Sequence, residues 1–263
     1  MDSKRLFFGL SMQAPWPESW PEGRVLAEPD RHLTLAFLGQ RPKGDIDLLL
    51  KCPVPAFVFA PCGSFDSCLM LPEEKRPHVF AWHVRWESEE VRSFQRELVS
   101  WLHAQGVSLS DRPWLSHMTI ARAPFDADAW QSTFHPLPCY ASAFHLFESL
   151  GSSKYRSLWA KPFQVPFEEI SHTADIAFLV YAKDLSSLYQ SAALALAFKY
   201  PPFLSYIEKS RSFSSLEDII IALNYALSCA DIDLGCPFKA VSFHGEITET
   251  APNFIQWEMI VDV

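Results

Sequence analysis

His32-Leu33-Thr34-Leu35 and His117-Met118-Thr119-Ile120 repeat one pattern, His-x-Thr-apolar, 85 residues apart. Each lies in an apolar run, His32 to Leu38 and Ser116 to Ala121, that reads as a short strand. Side chains alternate across a strand, so histidine and threonine two apart share one face and the apolar residues take the other. Each strand thus presents an imidazole beside a hydroxyl. Two such strands in one sheet bring two imidazoles and two hydroxyls to a single cleft, and the repetition suggests a two-lobed, pseudo-symmetric fold.

Outward from these motifs, Arg5 to Leu10, Ala56 to Ala60, Ser67 to Leu71, Val79 to Val84 and Tyr140 to Phe147 read as further strands rich in β-branched and aromatic residues. Ser88 to His103 predicts a helix: Ser88 caps it, Val91, Phe94, Leu98, Trp101 and Leu102 recur at helical spacing, and Gly106 stops it. Strands gathered around one or two helices make an α+β unit. Lys161-Pro162-Phe163-Gln164-Val165-Pro166 cannot be helical interior, and it divides the chain into domains 1–163 and 164–263. Beyond it, Ile176, Phe178 and Val180 mark a strand. A helix from about Leu185, capped by Asp184, ends at Pro201-Pro202, and a second spans Ser215 to Ser228. Phe238 to Phe243 and Ile255 to Val261 read as closing strands, the last with Ile255, Trp257, Met259 and Val261 on one face, so a second, smaller α+β domain follows the first.

At about 150 residues per domain, 263 residues suit one or two domains. The net charge of −9 is unevenly placed: residues 1–165 hold 17 Lys/Arg and 18 Asp/Glu, residues 166–263 hold 5 and 13. An acidic second half repels a nucleic-acid backbone, so any RNA belongs to the near-neutral first half. No window approaches 18 apolar residues, and the run from Leu6 to Met12 is too short for a leader, which points to a cytoplasmic protein with no membrane contact. Six cysteines without a C-x-x-C pair argue against both a disulfide scaffold and zinc.

Two imidazoles and two hydroxyls in one cleft suit hydrolysis of a phosphodiester. One neutral imidazole takes a proton from water while the other, protonated, donates to the departing sugar oxygen, a chemistry that needs no cofactor. Thr34 and Thr119 would hydrogen-bond the non-bridging oxygens, and Arg122, three residues past Thr119, would add a cation. His78, His83, His103, His135 and His145 share no repeated context and read as surface or structural residues.

These residues carry a resemblance. Residues 1 to about 163 are similar to the 2H phosphoesterases, specifically the RNA 2',3'-cyclic phosphodiesterases once called 2'-5' RNA ligases. Leu6-Phe7-Phe8-Gly9-Leu10 resembles the family's opening strand and His32 to Gly39 its first motif. Gly63-Ser64-Phe65 resembles its middle turn, Ser116 to Arg122 its second motif, and Phe147-Glu148-Ser149 with Lys154-Tyr155 its ending. The resemblance implies a bilobal α+β fold and opening of a terminal 2',3'-cyclic phosphate to a 2'-phosphate. By position, His32 would protonate the leaving 3' oxygen, His117 would activate water, and Thr34 and Thr119 would hold the phosphate. Ser116 stands where a proline commonly precedes the second histidine, which loosens that backbone position.

In the second half, Asp175 follows His172-Thr173-Ala174, and Asp262 lies on a terminal strand whose end is able to return alongside the first. Carboxylates are what a hard divalent cation, Mg²⁺ or Ca²⁺, requires. Residues 166–263 resemble archease, the accessory protein of RtcB-type RNA ligases. The match runs over Phe167 to Ile176, Leu188 to Leu196, Phe238 to His244 and Ile260 to Val263. The resemblance implies that Asp175 and Asp262 bind the metal and that Lys239 is functionally important. Together the halves suggest an RNA-end phosphodiesterase fused to a module that assists a ligase in tRNA splicing or RNA repair. The alternative is a non-catalytic adaptor that binds RNA ends and docks the ligase.

Overall fold

The computed structural model describes residues 3–72, 77–173, 175–208 and 212–263. Met1–His135 with Cys139–Gln164 form one unit, and Val165–Val263 with Pro136–Pro138 form a second. Each is mixed α/β.

In the first unit, β1 (Ser3–Gln13), β2 (Gly23–Val25), β3 (His32–Pro42), β4 (Cys62–Leu71), β5 (Val79–Trp86), β6 (His117–Phe125), β7 (Leu137–Gly151) and β8 (Lys154–Pro162) belong to one sheet. The strand order is β1-β3-β6-β5-β4-β7-β8, with β2 on β6 and a further pairing of β1 with β7, so the path closes on itself. Among the described pairs, β3 and β6 join at one antiparallel register pair, Leu33 with Met118, the residues enclosed by the two His-x-Thr motifs. Both are fully buried, as alternation demands. Helix α1 (Ile46–Leu49) is a single turn. The amphipathic α2 (Glu90–Ala104) buries Val91, Phe94, Leu98 and Leu102, and α3 (Ala127–Ser132) buries Trp130 against Phe80 and Trp20. Gly106 ends α2 with φ +74°, a backbone region that favours glycine.

Some segments differ from the sequence reading. Ala56 to Ala60 forms no strand: Pro53, Pro55 and Pro61 interrupt the ladder, and only a bridge from Phe59 to Gln164 remains. Gly63-Ser64-Phe65 is not a turn but lies inside β4, where a Cβ at Gly63 would sit 2.5 Å from the Arg85 carbonyl oxygen. Ser88 precedes α2 by two residues, its Oγ accepting weakly from the Glu90 N–H at 3.4 Å. All six cysteines are free.

The second unit carries β9 (Phe167–Ile170), β10 (Ile176–Ala182), β11 (Ala240–Val241), β12 (Thr248–Ala251) and β13 (Phe254–Asp262), ordered β11-β13-β10-β9 with β12 on β13. Phe178 and Val180 of β10 and Trp257, Met259 and Val261 of β13 face one core with α4 (Leu185–Lys199) and α5 (Leu216–Leu234). Asp184 caps α4 in a reciprocal box with Ser187, accepting from its N–H at 2.7 Å. The expected strand Phe238 to Phe243 shrinks to Ala240–Val241. It follows Pro237, and Phe243 turns out to solvent. Among the described residues no helix is long and apolar enough to cross a membrane.

Candidate functional site

In the antiparallel register set by Leu33 and Met118, His32 faces Thr119 across the junction and Thr34 faces His117. The four side chains form a square on one face, each imidazole diagonal to the other. All four line a cavity of about 470 Å³ in the first unit, together with Arg122. The site residues expected in this half are therefore brought together.

Both imidazoles are held in the same way. His32 Nδ1 lies 2.9 Å from the Asp30 carbonyl oxygen and His117 Nδ1 2.8 Å from that of Leu115, each two residues upstream. A carbonyl only accepts, so Nδ1 carries the hydrogen and donates. That leaves Nε2 of each ring as the working nitrogen. Asp30 is itself fixed. Its buried carboxylate accepts from Lys154 Nζ at 2.7 Å and from the Tyr155 N–H at 3.1 Å, which ties the β7–β8 hairpin to the base of His32. The segment before His117 is fixed too. Ser116 is buried, its Oγ accepts from Trp86 Nε1 at 2.9 Å, and its carbonyl accepts from the Val84 N–H at 2.8 Å. These two bonds hold the residue that precedes His117. Trp114 Nε1 donates to the Thr34 carbonyl at 2.9 Å, lashing one motif to the approach of the other.

The surroundings of the two rings differ. His32 packs among Phe7, Phe147 and Tyr155, with ring centroids 4.6, 5.4 and 4.4 Å away. Burial there pushes its pKa down to about 4; the Arg122 guanidinium and His117 add to the fall, and the Asp30 carbonyl and carboxylate oppose it. Unliganded His32 is thus neutral near pH 7.

Arg5, Arg24, Tyr155, Ser149, Ser152 and Ser153 also line the cavity, and none of them was singled out from the sequence as a site residue. Arg24 of β2 pairs in register with Arg122, and Arg5 lies 4.9 Å over the half-exposed ring of Phe37. Three guanidiniums and, among the described residues, no carboxylate make the lining suited to an anion. Tyr155 had a local signal, since it belongs to the quoted Lys154-Tyr155 pair. Arg5 and Arg24 had none, because only long-range pairing brings their strands to the cleft.

In the second unit β10 and β13 pair with Ile176 opposite Val261, so Asp175 and Asp262 fall at adjoining strand ends. Ala174 lies outside the described residues. The Asp175 N–H donates to His172 Nδ1 at 3.3 Å, and Asp262 Oδ1 accepts from Ser242 Oγ at 3.2 Å. The Lys239 N–H donates to the Asp262 carbonyl at 2.8 Å, and its Nζ donates to the Val263 carbonyl. Two carboxylates suit a hard cation. Among the described residues no group of three His, Cys, Asp or Glu converges anywhere, so carbonyls and water would complete such a shell.

No protein-family model matches the chain. Over 130 residues it is 33% identical to an RNA 2',3'-cyclic phosphodiesterase of Geobacillus stearothermophilus, which covers 46% of this chain and 39% of that protein. The chain thus spans about two fifths of the length of that relative. Among solved structures, a phosphoesterase matches with a TM-score of 0.46 and 22% identity over 62% of this chain and 99% of that one. E. coli LigT complexed with 3'-AMP matches with a TM-score of 0.47 and 21% identity over the same shares. The resemblance lies in the N-terminal part of the chain, ~60% of it.

Proposed function

We propose that the first unit is a phosphodiesterase of the 2H type that opens terminal RNA 2',3'-cyclic phosphates to 2'-phosphates by paired-imidazole acid–base chemistry. The observation that carries this reading is the single register pair Leu33–Met118, which sets each imidazole beside the other motif's hydroxyl. The guanidinium-lined cavity supports an anionic substrate, and the name of the Geobacillus relative supports the substrate class.

In this reading Arg122, Arg24 and Arg5 draw in the phosphate, and Thr34 and Thr119 donate to its non-bridging oxygens. His117 Nε2 takes a proton from water as its oxygen attacks phosphorus. The bond from phosphorus to the 3' oxygen breaks, and His32 Nε2–H protonates that oxygen. The products are a 2'-phosphomonoester and a free 3'-hydroxyl. His32 is neutral before substrate binds, so the bound anion must bring a proton onto it; removal of either role is expected to cost about 10²–10⁴-fold in rate.

For the second unit we infer an archease-like accessory role toward an RtcB-type RNA ligase, with Asp175 and Asp262 as cation ligands and Lys239 beside them. The adjoining ends of β10 and β13 and the acidity of this half support it.

Incubation of the full chain with an oligonucleotide ending in a 2',3'-cyclic phosphate tests the first reading. Conversion to the 2'-phosphate that disappears in His32→Ala and His117→Ala upholds it. Tight binding without turnover by the native chain replaces it with the adaptor.

A further inference from the structure

The square of His32, Thr34, His117 and Thr119 is nearly symmetric about the Leu33–Met118 pair, yet the reaction needs one imidazole charged and the other neutral. The asymmetry has to come from outside the motifs. Along the β1–β3 side, the residue in register with His32 is Ser11, a neutral hydroxyl. Ser11 Oγ bonds His145 Nε2 at 3.1 Å and Ser142 Oγ at 2.8 Å, and burial pushes the His145 pKa down to about 4, so this flank is uncharged near pH 7. Along the β6–β5 side, the residue in register with His117 is a third histidine, His83. Directly opposed residues share a face, with Cβ atoms about 5 Å apart.

His83 differs from every other ring at the site in what holds it. Its Nδ1 lies 2.7 Å from Asp66 Oδ1 on β4, a carboxylate rather than a carbonyl. A register shift between Phe65 and Ser67 surrounds Asp66, and Asp66 also accepts from Ser67 Oγ at 3.2 Å. A carboxylate only accepts, so Nδ1 carries the hydrogen and donates to Asp66. One-third exposure of the His83 side chain leaves it open to exchange protons with solvent.

We propose that His83, anchored by Asp66, is a positioning residue that acts through His117: as a cation beside it, His83 favours the neutral form of His117 that takes the proton from water. The inference rests on reading His32 and His117 as an acid–base pair. Among the described residues, the titratable and charged groups around His117 are His32 from β3, Arg122 from β6 itself, Arg24 from β2, Arg5 from β1, Tyr155 from β8 and His83 from β5, with Asp66 of β4 and Arg85 of β5 behind His83. Of these, His83 is the group whose charge depends on a carboxylate partner within hydrogen-bond distance.

The test is proton NMR titration of histidine ring carbons in the full chain, with His117 assigned by its loss in His117→Asn. A unit charge roughly 6 Å away in near-aqueous surroundings moves a midpoint by about half a pH unit. In His83→Gln the His117 midpoint should rise by at least that much. In Asp66→Asn, where His83 loses its anchor, it should rise by less. A His117 midpoint that stays put or falls in both variants overturns the inference, and if His83→Gln fails to fold, Asp66→Asn decides alone. The acid limb of kcat/KM on a 2',3'-cyclic nucleotide should rise with the His117 midpoint. A native chain without turnover, in which His117 still moves, refutes the phosphodiesterase reading and upholds the coupling; turnover with an unmoved His117 does the reverse.

Discussion

His32 gives the chain an acid-sensitive element whose size follows from its surroundings. In the folded state burial among Phe7, Phe147 and Tyr155 holds its pKa down to about 4, whereas the unfolded chain titrates this imidazole near the ordinary 6.5. Between those values the unfolded state binds more protons, so stability is full above about pH 6.5 and is lost as pH falls toward 4. For one such site the loss between pH 7 and pH 5 is about 2 kcal/mol. The assay is urea unfolding followed by tryptophan fluorescence, which reports the first unit because it holds eight of the nine tryptophans. His32→Gln should flatten the pH dependence by that amount. His145, depressed in the same direction, is present in both proteins and cancels from the comparison. Parallel stability curves for the native chain and His32→Gln between pH 7 and 5 would refute the claim that the ring is held neutral by its box.

Gly9→Ala places a Cβ 2.8 Å from the Leu33 carbonyl oxygen, at the residue that joins the two motifs, and is expected to cost about 1–3 kcal/mol and to cut kcat more than it raises KM. Ser116→Ala leaves the Trp86 indole N–H without its acceptor, and thermal unfolding should show a loss of about 1 kcal/mol. Asp184→Ala removes the carboxylate that accepts from the Ser187 N–H, leaving the backbone half of the α4 capping box, and should destabilise the second unit by about 1 kcal/mol, read by far-ultraviolet circular dichroism. Calcium or magnesium titrated calorimetrically into the full chain should bind roughly tenfold or more weakly in Asp175→Asn and in Asp262→Asn; identical isotherms would remove the aspartates as ligands.

The parts of the fold legible in the sequence are those fixed by local period. His32 and Thr34, like His117 and Thr119, took one face because a strand alternates, and Leu33 and Met118 took the other. Asp184 before an apolar-periodic run was enough to place the start of α4, and the alternation of Trp257, Met259 and Val261 marked the buried face of β13. What escaped depends on contacts distant in sequence. Arg24 sits on a strand of three residues whose partner is nearly 100 residues away, and Asp30 matters through a carbonyl and a hairpin 124 residues further on. Ala56 to Ala60 failed for the opposite reason: its composition suits a strand, but Pro55 and Pro61 bound it closely on either side and, among the described residues, it pairs only at the bridge with Gln164.

The same division explains why two copies of one motif need not do the same chemistry. His-x-Thr and a carbonyl two residues upstream give each lobe the same imidazole, with the same nitrogen free, and register gives each the same diagonal hydroxyl. Nothing within either motif tells the rings apart. Among the described residues the rings differ in what the neighbouring strands bring: β7 and β8 enclose His32 with Phe147 and Tyr155, whereas β5 and β4 set His83 and Asp66 beside His117. Exchanging those flanks should therefore move proton affinity from one ring to the other without touching either motif. Tyr155→Leu, which opens the His32 box, should raise the His32 midpoint measured by NMR, whereas Asp66→Asn, which alters the His117 flank, should leave the His32 midpoint in place. A His32 midpoint that Tyr155→Leu leaves in place would put the depression of that ring inside its own motif after all.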